Sequence, residues 1–151
     1  MEKRTGEAAL LLIGHGSRLP YQAEAVSALA DRIREEGTWA AVGAGYLEHT
    51  RPLISEALEA LCHTSGATTV VCVPVFIADG THLRRDIPRA LGLDEGRRTG
   101  RVPAAGAQRT LLLLGAIGGD PRLAALLSSN ARSALEHGAE GLNTRETEII
   151  P

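Results

Sequence analysis

The sequence predicts an α/β fold, a four-stranded parallel doubly wound sheet with helices on both faces. Short apolar runs, typical of strands buried on both faces, alternate four times with segments whose apolar residues recur every three or four positions. Parallel strands joined through helices need right-handed crossovers, which place helices on both faces of the sheet. The chain has 151 residues, the length of one ordinary domain. We predict that this domain spans residues 1–138 and that residues 139–151 form a flexible tail.

The first half of the chain supplies two strands and two helices. Ala8–Ile13 is a continuous apolar run, which predicts a strand buried on both faces. Pro20–Glu36 has one apolar stripe and predicts an amphipathic helix opened by its proline. Trp39–Leu47 predicts a weaker strand interrupted by glycines, and Pro52–Ser65 predicts the second helix.

The clearest strand of the chain is Val70–Phe76, although Pro74 indicates that its regular pairing ends there. The following segment predicts two short helical pieces. The second piece starts at Pro88, because a proline suits the first turn of a helix, and Asp86 is predicted to cap it.

The last third of the chain is predicted to hold one long loop, one strand and one helix. Gly92–Arg109 is rich in Gly, Arg and Pro and predicts a surface loop. Thr110–Leu114 predicts the fourth buried strand. Asp120 is predicted to cap a last helix that reaches Glu136 and is stopped by Gly138.

Composition and charge exclude several classes of protein. A formal net charge of −2, a pI near 6.2 and only 3% aromatic residues argue against a nucleic-acid-binding surface. The apolar run before Gly14 is too short for a signal peptide or a membrane span, so we expect a cytoplasmic protein without a membrane partner. Cys62 and Cys72 lack CxxC spacing and are interpreted as small buried hydrophobic residues.

Glycine-rich and polar segments follow the predicted strands, at the edge where sheets of this class bind ligands. His15 lies between two glycines after the first strand, and His82 follows Gly80 after the third. The alternative role of His15 is packing, and that of His82 is at the capped start of a helix. Glu48 follows the second strand and either takes part in proton or metal chemistry, or is a solvated charge, or pairs with Arg51.

The two histidines predict an open site for a transition-metal ion. An imidazole with an ordinary pKa near 6.5 is available in its neutral form and then offers a lone pair to a metal or a proton. Structural zinc sites normally use four closed ligands, whereas a site that must release its metal is under-coordinated. We therefore interpret His15 and His82 as a delivery site.

One segment is strongly basic, with six arginines against Asp86, Asp94 and Glu95. Guanidinium groups bind carboxylates through paired hydrogen bonds, so the segment is suited to a polycarboxylate ligand. A solvated loop is the alternative, and it is favoured for the last three arginines. The six are Arg84, Arg85, Arg89, Arg97, Arg98 and Arg101.

Four motifs resemble the short sirohydrochlorin chelatases, the class II chelatases of the CbiX and SirB kind and their nickel-inserting archaeal relatives. The resemblance extends from about Ala8 to Glu136. The motifs are GHGSRLPY at 14–21, VPVF and DGTH within 73–82, RDIPRALGL at 85–93 and IGGDPRL at 117–123.

The resemblance implies a half-size homodimeric subunit that inserts a divalent metal into sirohydrochlorin without ATP. Cobalt is favoured, with nickel and iron as alternatives; the metal is a substrate, and no cofactor is permanently bound. Asp79 and the loop DEGRRTGRVPAAGAQ stand where some relatives carry histidines, which leaves the metal open.

The resemblance also implies roles for single residues. His15 and His82 match the family's metal ligands, and His15 also accepts a proton; Glu48 joins them as a candidate catalytic residue. Arg84 and Arg85 are predicted to hold the acidic side chains of the macrocycle. The remaining predicted substrate contacts are Ser17, Arg18, Arg51, Ile77, Ala78, Asp79, Gly80 and Thr81.

Two other functions remain open at this stage. Phosphohistidine carrier domains of the mannose-type sugar-transport kind also place a histidine directly after their first parallel strand, which explains His15 but not His82. A non-catalytic protein that binds metal or tetrapyrrole is the second alternative.

Overall fold

The computed structural model of the chain describes residues 5–138. Contacts between Cα atoms divide the chain into two compact units, residues 1–116 and 117–151. The prediction of one domain over 1–138 stays a prediction, and the predicted tail at 139–151 lies outside the described residues. None of the helices in the described range combines the length and apolarity needed to cross a membrane.

The first unit contains all the strands of the described residues. Four of them form an uninterrupted parallel arrangement, and the fifth pairs with the last of these in the antiparallel direction. The elements in chain order are β1 (Ala8–Gly14), α1 (Tyr21–Glu35), β2 (Ala41–Tyr46), α2 (Ile54–Ser65), β3 (Thr69–Pro74), a π-helix (His82–Asp86), α3 (Ile87–Leu91), β4 (Thr99–Ala104) and β5 (Ala107–Leu113).

The strand order in the sheet is β2-β1-β3-β5-β4, so the predicted count of four strands is wrong by one. The extra strand is β4, which lies inside the segment predicted as a loop. Its side chains alternate, with Val102 and Ala104 buried between exposed neighbours. Pro103 is tolerated because β4 is an edge strand. The alternation of buried and exposed residues was not recognised in the sequence, because Gly100, Arg101 and Pro103 are typical of loops.

Helices cover both faces of the sheet, as predicted. Side chains of β1 point alternately to opposite faces, because a strand has a period of two. Leu11 and Ile13 pack with α2 and α3 in one buried cluster. Leu10 and Leu12 pack with α1 in a second cluster on the other face.

The segment after β3 forms two short helical pieces, as predicted, and the first is a π-helix. The predicted cap is wrong: the Asp86 side chain does not bond to the amino end of α3. Its backbone is helical, because the chain passes from the π-helix into α3 without leaving the helical region. Its carboxylate is therefore available to other partners.

Both cysteines are free and buried, as the sequence predicted. Burial raises the pKa of the Cys72 thiol to about 12, and it also raises the pKa of Cys62. Thiols held in the neutral form are poor metal ligands, which leaves them a packing role.

The second unit contains a short 3₁₀ turn, Ile117–Gly119, and helix α4, Pro121–His137. The Asp120 carboxylate accepts a 2.8 Å hydrogen bond from the Arg122 backbone nitrogen. This confirms Asp120 as the predicted cap of the last helix.

Candidate metal centre

The carboxyl ends of the four parallel strands meet at one edge of the sheet. Gly14 ends β1 opposite Tyr46 of β2, and Pro74 ends β3 opposite Ile13. Because β4 runs antiparallel to β5, its first residue, Thr99, also lies at this edge. Segments that follow or precede these residues therefore converge there.

His15 is held by a loop that lies directly against the segment after β2. The Leu47 nitrogen donates to the Gly14 carbonyl and the Glu48 nitrogen donates to the His15 carbonyl, both at 3.1 Å. Gly16 has a φ of +88°, and a Cβ atom there would lie 1.7 Å from the Glu48 carbonyl oxygen. The approach of these two loops therefore requires glycine at position 16.

His82 is the first residue of the π-helix, and the same short segment supplies its partner. The His82 Nδ1 atom lies 2.8 Å from Asp86 Oδ2, and Arg85 Nε donates to Asp86 Oδ1 at 2.9 Å. The Arg85 guanidinium and then His82 lower the pKa of the Asp86 carboxyl below its usual value. Asp86 is thus an ionised acceptor behind His82, a role that the sequence interpretation did not assign to it.

The two imidazoles meet edge to face, with His15 Nε2 and His82 Nε2 3.2 Å apart and the ring planes at 85°. The Nδ1 atoms face only acceptors: the Gly16 carbonyl at 3.1 Å for His15, and Asp86 for His82. When each Nδ1 carries the ring hydrogen, both Nε2 atoms have a free lone pair, and a cation bound between them would remove the repulsion of the two lone pairs.

The separation of the two lone pairs suits a bound metal ion. Two ligand nitrogens at metal–nitrogen distances of about 2.0–2.1 Å and a tetrahedral angle lie roughly 3.3–3.4 Å apart. The observed 3.2 Å is close to this edge length. Within residues 5–138, no group of three or more His, Cys, Asp or Glu side chains is arranged to hold a metal ion. The two-histidine arrangement is compatible with the predicted open site, which stays a prediction.

Glu48 lies close to the pair, on the side of His15 that faces away from His82. Its Oε1 atom is 3.8 Å from His15 Nδ1 and 3.7 Å from His49 Nε2. The alternative pair of Glu48 with Arg51 is not formed, because Arg51 Nη1 donates to Glu56 Oε2 at 2.6 Å. Each imidazole consequently has a carboxylate near its Nδ1 atom.

The predicted substrate contacts of the first motif differ in their surroundings. The Ser17 nitrogen donates to Thr50 Oγ1 at 3.2 Å, and this hydroxyl donates back to the Ser17 carbonyl at 3.1 Å. Arg18 is exposed, without a side-chain partner among residues 5–138. Arg51 is occupied by Glu56 at the start of α2, away from the histidine pair.

Residues 77–81, which lead to His82, are exposed, whereas Val75 and Phe76 before them are half-buried. Asp79 accepts a hydrogen bond from the Ala116 nitrogen at 3.3 Å and lies 3.9 Å from Arg98 Nη2. Arg84 is exposed without a side-chain partner in the described chain, whereas Arg85 pairs with Asp86. The predicted contacts in this segment are Ile77, Ala78, Asp79, Gly80 and Thr81.

Sequence reasoning missed two residues at this edge, Asp86 and Arg98. The signal for Asp86 was present, since residues four apart on a helix share a face and His82 precedes it by four. Arg98 was placed in a predicted loop, because the antiparallel strand that carries it to this edge was not recognised.

The architecture and site define a doubly wound α/β protein with two adjacent imidazoles at the carboxyl edge of its sheet. The chain belongs to the CbiX family, whose sequence model matches residues 9–134. This confirms the resemblance seen in the four motifs.

Known relatives agree with this assignment. The sirohydrochlorin cobaltochelatase of Methanosarcina barkeri is 38% identical over 131 residues, which cover 87% of this chain and 99% of that protein. The multi-domain protein DR2241 of Deinococcus radiodurans, described as structurally similar to chelatases, has a TM-score of 0.72 at 26% identity and matches 87% of this chain and 29% of that one.

A further solved relative is the sirohydrochlorin chelatase SirB from Bacillus subtilis subspecies spizizenii, in complex with cobalt. It is 27% identical with a TM-score of 0.51, over 56% of this chain and 36% of that one. These comparisons give no support to the phosphohistidine carrier alternative.

Proposed function

We propose that this protein inserts a divalent metal ion into sirohydrochlorin without ATP. The observation that carries the proposal is the 3.2 Å approach of the two imidazole Nε2 atoms. The names of the relatives, sirohydrochlorin cobaltochelatase and sirohydrochlorin chelatase, support the same reaction.

The open site explains how a metal is handed over. Two imidazoles hold the cation firmly enough to position it but leave other coordination positions vacant for the nitrogens of the macrocycle. Each macrocycle nitrogen that binds the metal ion replaces one of the other ligands of that ion. The metal therefore leaves the protein when the ring is complete around it.

Insertion also requires that the macrocycle lose two N–H protons. His15 Nε2 is the proposed acceptor of one proton and His82 Nε2 of the other, because each carries a lone pair once the metal has moved to the ring. The resulting imidazolium of His15 is stabilised by Glu48, whose Oε1 lies 3.8 Å from His15 Nδ1. The Asp86 carboxylate does the same for His82.

The acidic side chains of the macrocycle are proposed to bind arginines around the pair. Arg18 and Arg84 need not break an existing pair to do so. Arg85 can share its guanidinium with Asp86, and Arg51 joins only if it leaves Glu56, an exposed pair that costs little to open. Ser17 and the exposed 77–81 segment line the path of the ring.

Cobalt is the proposed metal, because the similar curated proteins are named sirohydrochlorin cobaltochelatases. Nickel and iron are alternatives, because imidazole nitrogens suit all three divalent ions. The metal is consumed as a substrate, and no permanently bound cofactor is proposed. A cytoplasmic location stays a prediction.

A homodimer is part of the proposal. On α4 the side chains of Leu126, Leu127 and Leu135 are exposed, and clustered exposed apolar side chains favour burial against another surface. Sedimentation equilibrium is expected to give twice the 15.9 kDa mass of the chain. The mass of a single chain at all protein concentrations would contradict the proposed homodimer.

The function is tested by following the absorbance of sirohydrochlorin during incubation with the protein and each metal in turn. We expect metallation well above the uncatalysed rate, and a loss of about 10²-fold or more in His15→Ala and His82→Ala. His63→Ala, on an exposed position of α2, is the matched control and is expected to keep the rate.

Two outcomes of this assay would contradict the proposal. Binding of metal and sirohydrochlorin without turnover would favour the non-catalytic alternative. Equal rates in His15→Ala and in the control would show that the histidine pair does not serve the reaction.

A further inference from the structure

A cavity of about 380 Å³ lies beside the π-helix and is lined by Leu83, Arg84, Glu95, Gly96, Arg97 and Arg98. The lining therefore includes three arginines and one glutamate, and of the arginines Arg98 also lies 3.9 Å from Asp79. Arg84 and Arg97 make no side-chain hydrogen bond or ion pair with any residue of the described chain. The cavity consequently holds cationic groups that are free to bind an anion.

The segment that carries Arg97 and Arg98 is anchored on both sides. The Gly96 nitrogen donates to the Arg84 carbonyl at 2.9 Å, which ties the turn to the π-helix. The Leu113 nitrogen donates to the Arg98 carbonyl at 2.7 Å, which ties it to β5. Arg97 and Arg98 are exposed and lie in a loop, which agrees with the solvated-loop alternative, but the backbone of that loop is held on both sides.

The cavity continues toward the histidine pair. A neighbouring cavity of about 350 Å³ shares Arg84 and Glu95 with it and is also lined by Asp79, Gly80, Thr81 and Arg85. This second cavity follows the segment that ends at His82. Because they share two lining residues, the two cavities adjoin each other between the residues just before His82 and Arg97 and Arg98.

We propose that Arg84, Arg97 and Arg98 form a carboxylate subsite that holds one acidic side chain of the macrocycle and so sets how the ring lies on the histidine pair. The identity of the ligand depends on the proposed function, whereas the anion site depends only on the cavity. Arg97 and Arg98 have no role in the reaction as proposed above.

The chemistry of the cavity favours a carboxylate over a phosphate. Guanidinium groups bind a planar carboxylate through two parallel hydrogen bonds. Glu95 reduces the positive charge of the cavity, which disfavours a group that carries close to two negative charges more than a group that carries one. Glu95 also keeps the arginine side chains from repelling one another when the cavity is empty.

The first arm of the test uses a small probe without any tetrapyrrole. Propane-1,2,3-tricarboxylate is titrated into the metal-free protein by calorimetry, with inorganic pyrophosphate, a phosphate anion of similar total charge, as the comparison anion. Arg97→Ala and Arg98→Ala are each expected to weaken tricarboxylate binding about tenfold, the effect of losing a hydrogen bond to a charged group. Arg97 has no side-chain partner in the described chain, so its removal is not expected to disturb the fold.

The matched control is Arg101→Ala. It removes the same charge from an exposed position of β4 that does not line either cavity, and it is expected to bind the probe like the parent. Arg98→Lys keeps the charge but removes the planar fork, and it is expected to lose most of the binding that Arg98→Ala loses.

The second arm measures sirohydrochlorin binding without metal, and Co²⁺ binding without sirohydrochlorin. Arg97→Ala and Arg98→Ala are expected to raise the Kd for sirohydrochlorin about tenfold and to leave that for Co²⁺ unchanged. A purely structural disturbance of the edge would change both affinities.

The outcomes separate the subsite from the proposed function. If both arginine variants match Arg101→Ala in both arms while the parent metallates sirohydrochlorin, the subsite is wrong and the function stands. If the tricarboxylate depends on Arg97 and Arg98 but the parent does not bind sirohydrochlorin, the anion site stands and the function fails. Pyrophosphate binding as tight as that of the tricarboxylate would overturn the preference for carboxylates.

Discussion

At the scale of single residues, the metal centre depends on what lies behind each imidazole as much as on the imidazoles themselves. The carbonyl of Gly16 and the carboxylate of Asp86 are acceptors for the two Nδ1 atoms. They fix which ring nitrogen carries the hydrogen and turn both Nε2 lone pairs inward. A pair of histidines at the same positions without these partners would spend part of its time in the wrong tautomer.

Asp86→Ala tests this argument. We expect Co²⁺ affinity to fall by roughly 10–100-fold, the usual cost of losing a carboxylate behind a ligating histidine. Nitrogen NMR of the His82 ring is expected to show a mixture of tautomers, where the parent shows hydrogen on Nδ1. Asp86→Asn, which keeps an acceptor, is expected to recover part of the affinity.

The control for Asp86→Ala is Asp31→Ala, which removes an exposed carboxylate that pairs with Arg34 on α1. This variant should keep both the affinity and the tautomer of the parent. An unchanged His82 tautomer in Asp86→Ala would show that Asp86 does not orient the ring.

At the scale of elements, the edge of the sheet is built from loops that approach very closely. The loop after β1 and the segment after β2 touch through backbone atoms at Gly16 and Glu48. The hairpin of β4 and β5 is fastened to the rest of the unit by the buried Arg109, which donates to the carbonyls of Ala104, Gly66 and Ala67. The first contact holds part of the candidate site in place, whereas the second lies at the opposite edge of the sheet, where β3 and β5 begin.

Gly16→Ala is expected to lower the free energy of unfolding by at least about 3 kcal/mol, because the new Cβ atom would overlap the Glu48 carbonyl and the loops must separate. Gly37→Ala is the matched control. It also has a positive φ, of +68°, but nothing lies within 4 Å of its Cβ position, so about 1 kcal/mol is expected.

Urea unfolding of the two variants gives the comparison. Equal losses would mean that only backbone conformation matters at position 16 and that the two loops are free to move apart. A large loss confined to Gly16→Ala, together with weaker Co²⁺ binding, is the expected result.

Elements also show where sequence reasoning succeeds and where it fails. Continuous apolar runs identified β1 and β3 because central parallel strands are buried on both faces. β4 is an edge strand, and only Val102 and Ala104 of its six residues are buried. The loop-forming residues Gly100, Arg101 and Pro103 around them made this strand hard to recognise in the sequence. Its turn has a positive φ at Ala105, a residue that rarely adopts this conformation, so the hairpin gave little signal in the sequence.

At the scale of the whole molecule, topology brings together residues that are remote in sequence. His15 and His82 are 67 positions apart, and the parallel pairing of β1 with β3 places both at the same edge. That part of the site was predictable, because the carboxyl ends of parallel strands always share an edge. The distance between the rings was not, since it depends on the π-helix and on Asp86.

The most direct test of the central idea is X-ray absorption spectroscopy of the cobalt-loaded protein in the absence of sirohydrochlorin. We expect two imidazole nitrogens at about 2.0–2.1 Å from the metal, and one in each of His15→Ala and His82→Ala. A cobalt shell of oxygen atoms alone, or an imidazole count that neither substitution changes, would contradict a metal ion shared by His15 and His82.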